Sequence, residues 1–106
     1  FQHTVELIGR RWTGAIIRSL LAGSSRFTAI LAAVPGLSDR LLAERLRELE
    51  AEGIVSRTVY PEHPVRIEYR LTEKGRELER IVAAIDAWTA RWGEHPGGEL
   101  PGERMD

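Results

Sequence analysis

Four side chains spaced three and four residues apart carry the most informative chemistry in this chain. They are Arg40, Ala43, Glu44 and Arg47, within SDRLLAERLRELEAEGIV from Ser38 to Val55. A guanidinium is a planar fork of N–H donors that pairs bidentately with a carboxylate, a phosphate or the O6/N7 edge of guanine. At about 100° per residue, Leu41, Leu42, Leu46 and Leu49 gather in one stripe. Ala43, Arg47, Arg40 and Glu44 fall opposite, at roughly 140°, 180°, 200° and 240° from Ser38. On a lone amphipathic helix such a face is ordinarily just solvated. Its use depends on the elements around it.

Those elements can be taken in order. A short helix over about Gln2 to Ile8 stops at Gly9, and RRWTGAIIRSLLAG follows with Trp12, Ile16, Ile17, Leu20 and Leu21 at helical spacing and Gly23 as a stop. SSRF is a short extended link, and TAILAAVPG is a third helix with Thr28 near its N-cap. Ser38 is the N-cap candidate of the fourth helix, which ends at Gly53. The period then changes to two: Val55, Arg57 and Val59 alternate with Ser56, Thr58 and Tyr60. Beyond PEHP, Val65, Ile67, Tyr69 and Leu71 alternate with Arg66, Glu68 and Arg70, which makes a β-hairpin. Thr72 caps a last long helix from Glu73 to about Trp92. The expected fold is mainly α with a small β-hairpin wing: helix, helix, a brief strand at the link, helix, helix, strand, strand, helix. That is a winged helix-turn-helix over residues 1–92, in which the fourth helix enters the DNA major groove. Residues 93–106, GEHPGGELPGERMD, are Gly/Pro-rich and acidic and are expected to be a disordered tail.

The bulk properties permit this. A chain of 106 residues has one modest core, and no apolar run approaches the roughly 20 residues of a membrane span. The formal net charge of −1 is unusual for a nucleic-acid binder. However, residues 94–106 hold four acids (Glu94, Glu99, Glu103, Asp106) and one base (Arg104), so residues 1–93 carry 14 bases against 12 acids. A dipolar domain of that kind can present a positive side to phosphates. Within these residues the absence of cysteine removes disulfides, thiolate ligands and thiol redox sensing. Catalysis has little support: His3, His63 and His95 are scattered, and there is neither a glycine-rich phosphate loop nor a nucleophile–base set. His3 and Glu6 share a helical face, but two residues make half a metal site and are more simply a surface pair. No enzyme activity, cofactor or metal is expected, and a cytoplasmic, nucleoid-associated protein fits.

LIGRRWTGAIIRSLLAGSSRFTAILAAVPGLSDRLLAERLRELEAEGIVSRTVYPEHPVRIEYRLTEKG resembles the HxlR family of winged helix-turn-helix transcriptional regulators, relatives of the MarR group. IGRRWT matches the family's I-G-G-K-W-T, and RFTAI its R-F-N-E-L. GLSDRLLAERLRELEAEGIVSR matches G-I-S-x-R-x-L-x-x-R-L-x-x-L-E-x-x-G-L-V-x-R, and YPEHPVRIEYRLTEKG the wing Y-x-x-x-P-x-x-V-E-Y-x-L-T-x-x-G. Arg10 stands where the family has Gly, and Ala29 where it usually has an acid. The resemblance implies a homodimer that binds a palindromic operator, acts as a repressor and responds to a small molecule or oxidant. The sensing cysteine many members carry before the first helix would lie upstream of Phe1.

With that fold, the expected DNA contacts are Thr28, Ser38, Arg40, Ala43, Arg47, His63 and Arg66. Arg40 and Arg47 reach base edges, and Ala43 allows close approach or touches a thymine methyl. Glu44 either accepts from cytosine N4 or pairs with a neighbouring arginine. Ser38 and Thr28 cap helices whose free N–H groups suit phosphate, whereas Asp39 does not. His63 and Arg66 sit at the hairpin tip; Arg57 is farther down, Glu68 and Tyr69 brace the hairpin, and Tyr60 suits either role. The dimer interface is expected on the terminal helices, at Phe1, Val5, Leu78, Ile81, Val82, Ile85, Trp88 and Trp92, with any effector bound between them. The rival reading is a winged-helix module that binds protein instead of DNA.

Overall fold

The computed structural model describes residues 2–93, with the side chain of Thr4 excepted. The expected tail and the placement of Phe1 lie outside the described residues. The elements are α1 (Gln2–Gly9), α2 (Thr13–Leu21), α3 (Phe27–Ala33), α4 (Asp39–Ala51), β1 (Val55–Tyr60), β2 (Arg66–Leu71), α5 (Glu73–Arg76) and α6 (Leu78–Trp88). A π-helical turn, Thr89–Gly93, follows. β1 and β2 pair antiparallel in the register Val55↔Leu71 through Tyr60↔Arg66. This is the expected order of a winged helix-turn-helix.

The leucine stripe of α4 supplies the centre of the core. Leu42, Leu46 and Leu49 are buried against Ile16 and Ile17 of α2 and Ile30 of α3, and Ile54, Val55, Leu71 and Val82 complete the cluster. Burial of each large aliphatic side chain contributes about 1.5–3 kcal/mol, so the packed stripe of α4 sets which of its faces remains outside.

Three local expectations about the first half of the chain are corrected. No strand forms at the SSRF link among the described residues; a single backbone bond, Tyr69 N–H to Ser25 O at 2.8 Å, joins the link to β2. Between the stop at Gly23 and the start of α3 there are too few residues to extend a ladder. Thr28 is not a cap: α3 starts at Phe27, whose ring packs on the core, and its N-cap is Arg26 with no side-chain cap bond. Trp12 precedes α2 with φ at +78°, a left-handed conformation that a bulky residue rarely adopts. Its ring comes within van der Waals range of Gly36, where an added Cβ would lie 3.3 Å from Trp12 Cη2.

The last helix is interrupted. Thr72 accepts from Gly75 N–H at 3.0 Å and donates to Gly53 O at 2.6 Å, so one residue caps α5 and closes the end of α4. Gly75 rests directly on the Ile54 carbonyl, leaving no room for a side chain. The chain stays right-handed at Glu77 (φ −67°, ψ −17°) and continues as α6. Gly93, assigned to the tail on sequence, belongs to the closing turn and is buried.

Candidate nucleic-acid interface

Ser38 begins the site. Its backbone is extended (φ −88°, ψ 158°) and its Oγ accepts from Leu41 N–H at 3.1 Å, a regular N-cap, while Asp39 lies in the first turn of α4. With the leucines buried, Arg40 stands with 87% of its side chain exposed, Ala43 is half-buried and Arg47 is exposed. Glu44 takes the pairing role: its carboxylate meets Arg40 Nε at 3.4 Å, one helical turn away. Both partners are accessible enough to exchange this contact for another, since exposed pairs of this type contribute only a few tenths of a kcal/mol. Arg47 has no ion pair among the described residues.

Arg45 was missed in the sequence and is the positioning residue of this helix. Only 14% of its side chain is exposed; its Nε donates to the Arg11 carbonyl at 3.1 Å and its guanidinium meets Glu48 at 3.4 Å. The helical period places Arg45 within the leucine stripe, and a charged residue there needed a buried partner; that was the available signal. The bond ties α4 to the corner between α1 and α2.

The wing differs from expectation in one respect. Glu68, 8% exposed, accepts from Arg66 and Arg70. Arg66 also bonds Glu62 at 2.9 Å and lies over the Tyr60 ring at 3.8 Å. The Arg66 guanidinium holds the carboxyls of Glu62 and Glu68 below the usual carboxylate range. Glu68 thus braces the hairpin as expected, but Arg66 is a member of the same brace and not a free cation at the tip. His63 is exposed there, and Thr28 is exposed on α3. Arg57 is also exposed, without an ion pair among the described residues. With Ala43, Leu46, Arg47, Glu50 and Tyr69 it lines a groove of about 410 Å³ between α4 and β1.

The residues assigned to a dimer interface separate into two sets. Val82 is buried in the domain's own core and Leu78 packs against it, so Val82 is withdrawn from the interface. The helical period puts Leu78 and Val82 on one side of α6 and rotates Ile81 and Trp88 away from it, with Ile85 at the edge between the two. Those three are exposed, as are Trp92 and Val5. Ile81, Ile85 and Trp88 line, with Arg80 and Ala84, an apolar groove of about 400 Å³. Asp86 is on the inner side and pairs with Arg18 of α2 at 3.0 Å. His3 does not join Glu6: it pairs with Glu52 at 3.0 Å, while Glu6 accepts from Gln2 at 3.3 Å. No helix among the described residues is long and apolar enough to cross a membrane.

Comparison with known proteins agrees with this geometry. Residues 7–96 match the family model described as HxlR-like helix-turn-helix. The chain is 51% identical over 92 residues to the uncharacterized HTH-type transcriptional regulator YvaP of Bacillus subtilis, covering 87% of this chain and 85% of that protein. It superposes on the reduced form of the transcriptional regulator YodB from B. subtilis with a TM-score of 0.78 at 43% identity, over 86% of this chain and 89% of the other. It superposes on the reduced form of the redox regulator HypR with a TM-score of 0.79 at 40% identity, over 85% and 89%. The capped helix and hairpin wing thus occur in a chain that belongs to the HxlR-like helix-turn-helix family of transcriptional regulators.

Proposed function

We propose that this protein is a repressor that binds a palindromic operator as a homodimer, with α4 in the major groove and the hairpin beside the flanking backbone. The observation that carries the reading is the outer face of α4, where Arg40, Ala43 and Arg47 stand clear of the core. Arg40 and Arg47 read base edges, Ala43 admits close approach, and the N-terminus of α4 at Ser38 meets a phosphate. Thr28 on α3 and His63 at the hairpin tip lie beside the backbone. The large apolar side chains exposed among the described residues lie off α4, which favours DNA over a protein partner for this helix.

The second chain covers Ile81, Ile85, Trp88 and Trp92, with Phe1, Val5 and the edge of Leu78 at its margin. Two-fold pairing there sets two copies of α4 about 34 Å apart, the separation of successive major grooves. A small-molecule effector acts between the terminal helices, and the cavity of about 160 Å³ lined by His3, Leu7, Ile8, Glu52, Lys74 and Leu78 supports that place. The similarity to redox regulators does not extend to a thiol within these residues, which contain no cysteine.

The test is selection of a duplex from a random-sequence library by the purified protein, followed by titration of single base-pair variants. An inverted repeat should emerge. Arg40→Ala should abolish discrimination at one position per half-site, about 1–3 kcal/mol. Unchanged affinity and specificity in that variant would remove α4 from the role of reader.

A further inference from the structure

The cations on the DNA-facing side are not equivalent. Arg66 and Arg70 share Glu62 and Glu68, two guanidiniums against two carboxylates, so this part of the wing carries no net charge. A phosphate approaching Arg66 must displace a carboxylate already bonded to it and remain beside another. Few counterions would be released by that exchange, and counterion release is what drives binding to the DNA backbone. The tip is poorly suited to hold DNA.

Arg47 and Arg57 stand differently. They line one groove between the outer face of α4 and the base of the wing, and neither is in an ion pair among the described residues. Glu50 is the acid on that groove and leaves it positive by one charge. The base of the wing is also fastened to the rest of the domain. Arg57 is paired in the ladder with Tyr69, whose N–H bonds to Ser25 O at 2.8 Å and fastens the strand to the link before α3. The backbone that carries Arg57 is fixed in this way, while its exposed guanidinium, in no ion pair among the described residues, is available to a phosphate.

The geometry points to the groove between α4 and β1 as the place where the DNA backbone is gripped, with Arg57 binding phosphate along the edge of the major groove that α4 and Arg47 enter. The Glu62–Arg66–Glu68–Arg70 set is a brace that holds the wing in shape. This rests on the DNA-binding reading above and adds the residue that holds the backbone.

Fluorescence anisotropy decides it, using a labelled duplex selected by this protein from a random library and a scrambled duplex of equal length, at about 50 to 200 mM KCl. Arg57→Ala should weaken both complexes roughly eightfold at about 0.1 M salt and lower the slope of log K against log salt by about 0.9, the value for one phosphate. Arg57→Lys should recover the slope, because the charge is retained. Arg66→Ala should leave the slope unchanged. Thermal melts of all three variants confirm that the domain is folded. An unaltered slope in Arg57→Ala, or an equal loss in Arg66→Ala, overturns the assignment while leaving DNA binding intact. Absence of salt-dependent binding by the unsubstituted protein would overturn the DNA reading itself, and this one with it.

Discussion

Arg45 Nε donates to the main-chain carbonyl of Arg11 at 3.1 Å, so a side chain in the leucine stripe of α4 holds the corner where α1 turns into α2. The same corner contains the left-handed Trp12, over whose ring the Arg11 guanidinium lies at 5.0 Å. Removing Arg45 leaves the carbonyl and Glu48 without this donor. Arg45→Ala should destabilise the domain by about 1–3 kcal/mol, as for loss of a charge-assisted bond from a mostly buried group. For a domain of this size each kcal/mol lowers the midpoint by about 4–8 °C in a thermal melt. Arg45→Lys should recover only part of it, since an ammonium lacks the fork that reaches both partners.

Two glycines should respond oppositely to a methyl group. A Cβ at Gly75 would overlap the Ile54 carbonyl oxygen, which also accepts from Thr72 N–H at 3.0 Å, and backbone on both sides leaves little room to yield. Gly75→Ala should cost at least about 2–3 kcal/mol. At Gly14, inside α2, the nearest contact of a new Cβ is the end of the flexible Arg18 side chain at 3.7 Å. Gly14→Ala should stabilise by about 0.5–1 kcal/mol through helix propensity and the unfolded chain. Denaturant melts of the pair that moved in the same direction would contradict this packing.

The wing brace predicts an acid-dependent term. Arg66 holds the Glu62 and Glu68 carboxyls below their ordinary value of 4.5. Their contribution is therefore full above that value and is lost as pH falls through the lower folded-state values. Glu68→Gln should melt earlier than the unsubstituted protein near neutral pH, and the gap should close as pH drops below about 4.5. A gap that stays constant down to about pH 3 would mean that the carboxylate charge is not what braces the hairpin.

Self-association is tested on α6. Ile85 and Trp88 are 49% and 61% exposed, beyond the part of the stripe that Val82 buries in the core. Ile85→Glu with Trp88→Arg should yield monomers in sedimentation, with helical circular dichroism retained and operator affinity lost, because a single half-site is held far more weakly than two. Val82→Ala is the contrasting variant: it should lower stability by about 0.5–1.5 kcal/mol or more through the cavity it leaves, without changing the oligomeric state. A monomeric unsubstituted protein at micromolar concentration would remove this use of α6.

Much of the architecture is determined by local pattern. Leu42, Leu46 and Leu49 at helical spacing, Ser38 before them and Gly53 after them specify α4 and its outward arginines without reference to the rest of the chain. The alternation from Val55 to Leu71 specifies the wing in the same way, since period alone sets which faces can be buried. Arg40, Ala43 and Arg47 were legible for this reason. What neighbours do to a charge is not local. The alternation puts Arg57 in phase with Val55 and Val59 and puts Arg66 and Arg70 in the polar phase of β2, but it does not say that two are neutralised by Glu62 and Glu68 while one lines a groove with α4. That distinction arises only when the hairpin closes and packs beside the helix. The division of α6 is of the same kind: its apolar residues form one stripe in sequence, and only the distance at which α2 and the core stop decides that Val82 is covered and Ile85 is not. Arg45 shows the reverse case, a charge within an apolar stripe whose partner, the Arg11 carbonyl, is 34 residues away. Helical and strand periods are short-range and are written in the sequence, whereas electrostatic pairing and burial depend on distances through space, which the tertiary fold alone establishes.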